Sequence, residues 1–71
     1  MEMPLSFMRV GEKNTVKRIT GQDETKRFLE SLGFVAGATV TVVSEIGGNM
    51  ILNVKDSRIA LDKNMARRIV V

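Results

Sequence analysis

The clearest period-two pattern along the chain is Thr39-Val40-Thr41-Val42. That spacing puts both valines on one side of an extended backbone, so it predicts a strand with one face on a core. Upstream, Phe28, Leu29 and Leu32 fall at i, i+1 and i+4 among polar residues, which predicts a short amphipathic helix. Asp23 stands where a capping carboxylate would accept from first-turn N–H groups, and Gly33 where a left-handed stop is wanted. Gly47-Gly48 marks a tight hairpin. The return strand, Met50 to Val54, turns Met50, Leu52 and Val54 one way, and Ile59 and Leu61 repeat the pattern in Arg58 to Leu61. Asp62 reads as the cap of a helical turn from Lys63 to Arg68, and Ile69-Val70-Val71 as a closing strand.

Before the helix the pattern is less regular. Pro4 to Met8 is an apolar lead-in whose Leu5, Phe7 and Met8 are expected to cover one mouth of the core. Val10 to Asn14 reads as a turn, and Thr15 to Thr20 as a strand. Val16 and Ile19 are three apart, so strict alternation would send one of them outward. A β-bulge at Lys17–Arg18 would bring both inside. The order is thus strand, helix, three-strand meander, helical turn, strand. A small open sheet would expose its edges, so a mainly β, SH3-like barrel of about five strands is expected, as one domain over residues 1–71.

With 71 residues, 44% hydrophobic and 27% charged, the chain has the composition of a folded globular domain near the lower size limit. No window approaches 18 uninterrupted apolar residues and no secretory leader is visible, so a cytoplasmic location without membrane insertion is expected. The net charge of +3 is unevenly placed. Residues 1–21 carry +2, residues 22–54 carry −2, and residues 55–71 carry +3. If the two ends pair in space, they form one basic face.

The chain contains no histidine and no cysteine. This removes the usual general bases, the thiol nucleophile and the common transition-metal ligands, so neither an enzyme nor a resident cofactor or metal is expected. Asp23 and Glu24 diverge at a helix start, and Asp56 and Asp62 flank a strand that should hold them about 20 Å apart. The acids read as caps, turns and surface charges. Nucleic acid offers an alternative reading, a small basic RNA- or ribosome-associated module. Against it, there is no Tyr or Trp, and the three Phe stand at core-like positions, whereas single-strand binders use exposed aromatic platforms.

Three segments carry a resemblance. They are Val16-Lys17-Arg18-Ile19-Thr20-Gly21, the block from Phe28 through Leu32-Gly33-Phe34-Val35-Ala36-Gly37 to Val40, and the end from Ile59-Ala60-Leu61-Asp62 to Val71. Together they resemble the FeoA family, the small cytoplasmic component of bacterial ferrous-iron uptake, over nearly the whole chain. The chain departs from the family pattern at Ala36, where a proline is usual, and at Asp62, where an arginine is common. The resemblance implies an SH3-like domain that acts with the membrane GTP-binding iron permease. Candidate contacts are Phe34 and Val35 beyond the helix, Ile46 and Met50 at the hairpin tip, and an Arg58, Arg67 and Arg68 group for an acidic partner.

Overall fold

The computed structural model describes residues 2–71. Its strands and helices follow the apolar pattern closely. A 3₁₀ turn at Leu5–Phe7 precedes β1 (Lys13–Thr15), β2 (Arg18–Ile19), α1 (Glu24–Ser31), β3 (Thr39–Ile46), β4 (Asn49–Val54), β5 (Ser57–Asp62), α2 (Lys63–Ala66) and β6 (Ile69–Val70). β1, β3, β4 and β5 form one antiparallel sheet in that order, and β2 pairs with β6 in a second. The architecture is mainly β and SH3-like, with the short helix and the last helical turn where the pattern put them. The ladders form two sheets rather than one continuous ring, and the outer edge of β5 has no strand beside it among the described residues.

Alternation explains the core. Val40 and Val42 on β3, Met50, Leu52 and Val54 on β4, and Leu61 on β5 all turn inward and are buried. Leu5, Met8, Val16, Ile19, Leu29, Phe34, Ala66, Ile69 and Val71 complete the cluster. No polar or charged residue is buried among those described, so the interior is held by apolar contact alone. Each fully buried Leu or Val side chain contributes about 1.5–3 kcal/mol relative to exposure.

Val16 and Ile19 are both inside, as expected, but a bulge at Lys17–Arg18 is not the device. The chain changes sheets there. The Val16 N–H donates to the Ala38 carbonyl just before β3, and the Lys17 N–H donates to the Val70 carbonyl of β6 (2.8 and 2.7 Å). One residue before the change faces the core from the first sheet, and one after it does so from the second. The register shift lies instead on β3, between Val42 and Ser44, where Val43 is the extra residue. The turn expected over Val10–Asn14 is shorter, because Lys13 and Asn14 already pair with β3.

The chain ends do pair. The N–H of Met3 donates to the Val71 carbonyl, and the N–H of Val71 to that of Met3 (3.0 and 2.9 Å). Pro4 bridges Val70 on one side of β6 while β2 pairs on the other. α1 is capped by the Asp23 carboxylate, which accepts from the Lys26 N–H, and α2 by Asp62, which accepts from the Met65 N–H (3.2 and 2.8 Å). The stripe of α1 is centred on Leu29, with Thr25, Lys26 and Leu32 partly covered beside it. Phe28 lies about 100° round the helix from Leu29 and is left largely in solvent.

Candidate interaction surface

The β3–β4 hairpin closes on the pair Ile46 and Asn49. Gly47 and Gly48 take φ of 55° and 84°, a two-residue turn that other residues would strain. Ile46 is 66% exposed at this tip. Its neighbour Glu45 accepts an ion pair from Lys63 of α2 at 3.6 Å, which ties the hairpin to the end of the core. Met50 does not join Ile46. It stands opposite Glu45 on the inner face of the ladder and is fully buried, so its expected role as a contact is corrected. The alternation that turns Ile46 outward turns Met50 inward.

Phe34 is corrected in the same way. Its N–H donates to the Leu29 carbonyl at 3.2 Å, which folds the residue back beneath α1, and its ring is fully buried. A hydrophobic contact of this kind accompanies a glycine helix stop. Val35, one residue on, is 37% exposed.

The three arginines expected to form a group have three different surroundings. Arg58 lies on β5, exposed, with Nε donating to Asn53 Oδ1 at a long 3.4 Å. Arg67 ends α2 and lines an open groove of about 240 Å³ between the N-terminal segment and β6. Met3, Pro4 and Val70 make the apolar part of that groove, and Arg18, ion-paired with Glu2, lies opposite. Arg68 turns the other way. Its Nη2 donates to the Thr20 carbonyl at 2.9 Å and to Asp23 Oδ1 at 2.8 Å, fastening α2–β6 to the entry of α1. The guanidinium, helped by the Lys26 N–H, holds the Asp23 carboxyl below its ordinary value. Gly21 makes this possible: a Cβ there would meet Arg68 Nη2 at 1.9 Å. Arg68 is thus a structural staple rather than part of a free basic surface.

Three exposed apolar residues escaped the pattern. Phe7 is 70% exposed, and Val10 and Phe28 are also largely in solvent. Leu5 and Met8 are three residues apart and align on one side of a 3₁₀ turn, which leaves Phe7 pointing away. The expectation that all three Phe sit in the core therefore holds for Phe34 alone, and Phe7 does not cover the core mouth. The spacing of Leu5 and Met8 was the available signal for Phe7, and the helical angle between Phe28 and Leu29 for Phe28.

Among the described residues, no group of three His, Cys, Asp or Glu side chains could hold a metal ion. No helix among the described residues is long and apolar enough to cross a membrane. What the surface offers chemically is apolar and cationic contact: Ile46 at a fixed hairpin tip, Val35 beyond α1, and Arg67 beside an apolar groove.

Comparison with known proteins yields a consistent set. A family model for the FeoA domain matches residues 3–71. A curated relative from Methanocaldococcus jannaschii, provisionally named Fe(2+) transport protein A, is 32% identical over 68 residues, covering 96% of this chain and 83% of the relative. A crystal structure described as the iron uptake regulatory protein FeoA superposes with a TM-score of 0.89 at 37% identity, covering 99% of this chain and 93% of that one. The zinc-complexed FeoA of Stenotrophomonas maltophilia, described as a prokaryotic SH3 domain protein, gives a TM-score of 0.84 at 30% identity over 94% of this chain and 86% of that one.

Proposed function

The chain belongs to the FeoA family, and from that premise we propose that it is a cytoplasmic accessory protein of ferrous-iron uptake that regulates the membrane GTP-binding permease by direct contact. The observation that carries this reading is Ile46, a large apolar side chain held 66% exposed on a hairpin whose turn is fixed by two glycines. A large apolar side chain on a rigid tip serves as a contact anchor when a partner has a pocket for it. Val35 is the second apolar contact, and Arg67 with Arg58 supplies positive charge toward acidic residues of the partner. The named descriptions of the relatives, an iron uptake regulatory protein and a Fe(2+) transport protein A, support the choice of system.

The chain has neither imidazole nor thiolate, the donors that suit Fe²⁺ in an all-protein site, so iron is cargo of the partner and not of this domain. Immobilised wild-type protein is expected to capture the cytoplasmic part of the permease from detergent extract, and Ile46→Asp to lose at least about tenfold in capture, the scale of one anchor worth 1.4 kcal/mol or more. Undiminished capture by the folded variant would remove the hairpin tip from the contact.

A further inference from the structure

The free edge of β5 carries its own recognition pattern. β4 and β5 are joined by the two-residue turn Lys55–Asp56, which makes Val54 and Ser57 the closing hydrogen-bonded pair. Along an antiparallel ladder, hydrogen-bonded and non-hydrogen-bonded pairs alternate. Ser57, Ile59 and Leu61 therefore direct their backbone groups at β4, and Arg58 and Ala60 direct theirs away from it. Outside the β4–β5 ladder no backbone hydrogen bond involves Arg58 or Ala60 among the described residues, and both residues are exposed. Native edges are usually short, covered, or interrupted by proline. This one is six residues long, contains no proline and has a central alanine with almost no side chain to obstruct a neighbour.

The charges on this edge choose the neighbour. Arg58 and Asp62 lie on the same strand, four residues and roughly 13 Å apart, too far to pair with each other. Neither has an ion-pair partner among the described residues. Asp62 Oδ1 is used to cap α2, which leaves Oδ2 open. In an antiparallel pairing of two β5 strands about a two-fold axis through Ala60, Arg58 of each copy stands opposite Asp62 of the other. The backbone groups of Ala60 and its symmetry mate then complete one another. Shifting the axis to Arg58 would oppose like charges, and shifting it to Ile59 would leave Arg58 facing alanine. We propose that β5 is a self-association edge, on which a second copy of this chain adds antiparallel in the Ala60-centred register and extends the four-stranded sheet across the axis. The strip is narrow, so the dimer is a weak, concentration-dependent one.

The test is sedimentation equilibrium of the full chain at low and high salt, up to about 1 mM, where small interfaces begin to associate. A salt-sensitive monomer–dimer equilibrium is expected. Arg58→Asp replaces two attractive cross-strand pairs with two repulsive ones and is expected to weaken the dimer about tenfold. Asp62→Asn, which keeps a good cap for α2, is expected to weaken it by a smaller factor and to remove the salt dependence. Ala60→Pro deletes an outward N–H without touching a bond to β4 and is expected to abolish the dimer while the circular dichroism spectrum stays native. A monomer at every concentration, or a dimer indifferent to both Arg58→Asp and Ala60→Pro, would overturn the proposal.

Discussion

Met50→Asp is expected to unfold the domain, while Ile46→Asp, four residues earlier on the same hairpin, leaves it folded. Met50 is fully buried in a cluster that contains no polar or charged side chain among the described residues. A carboxyl placed there finds no donor. The unpaired polar group costs about 2–7 kcal/mol, and loss of the methionine volume adds about 2–5 kcal/mol. A domain of this size has roughly 4–10 kcal/mol in total, so the two costs together, about 4–12 kcal/mol, match or exceed its stability over most of that range. Ile46 is two-thirds exposed, and its replacement leaves the hydrogen-bonded pair with Asn49 in place. Thermal denaturation followed by circular dichroism is expected to show no cooperative transition for Met50→Asp. The Ile46→Asp midpoint is expected within about 4 °C of wild type. A cooperative, wild-type-like melt for Met50→Asp would mean that this side chain does not face the core.

The second large effect is expected at Phe34. Its ring fills the space beneath α1, against a cluster that includes Leu29 and Val54. Phe34→Ala removes the largest fully buried side chain in the molecule and leaves a void that the surrounding strands can close only in part. The cost is about 3–5 kcal/mol, which lowers the melting midpoint by at least about 12 °C in a chain this short. Urea unfolding measures it directly, as a shifted midpoint with an unchanged slope. A loss below about 1 kcal/mol would place the ring at the surface, where a contact role for Phe34 would again be open.

These two positions also mark where the sequence could and could not be read. The strands β3, β4 and β5 followed from alternation, since one face of each is apolar. The caps Asp23 and Asp62 followed from their position before apolar or helical turns, and both accept the N–H bonds expected of them. Choosing contact residues was harder, because an apolar residue beside a turn looks the same whether it folds back or stands free. Phe34 folds back because the glycine stop at Gly33 directs its N–H to the Leu29 carbonyl. Met50 is inside because a two-residue turn fixes its register against Glu45. That turn was visible in Gly47-Gly48, and counting alternation outward from it separates Ile46 from Met50.

The pair Arg67-Arg68 could not be separated in this way. Adjacent residues at a helix end diverge, and only the passage of Thr20 and Asp23 beside Arg68 decides which guanidinium is held. The change of sheets at Val16–Lys17 was concealed for a similar reason. Two apolar residues three apart fit a bulge and a crossing strand equally well, and the partners Ala38 and Val70 that distinguish them are distant in sequence.

A domain without imidazole or thiol groups works, in the reading proposed above, by presenting surface to the permease rather than by holding its cargo. Anaerobic calorimetric titration of the purified chain with Fe²⁺ tests this most directly. The expected result is heat no greater than that of dilution. A saturable one-to-one site of micromolar affinity in the isolated chain would contradict it.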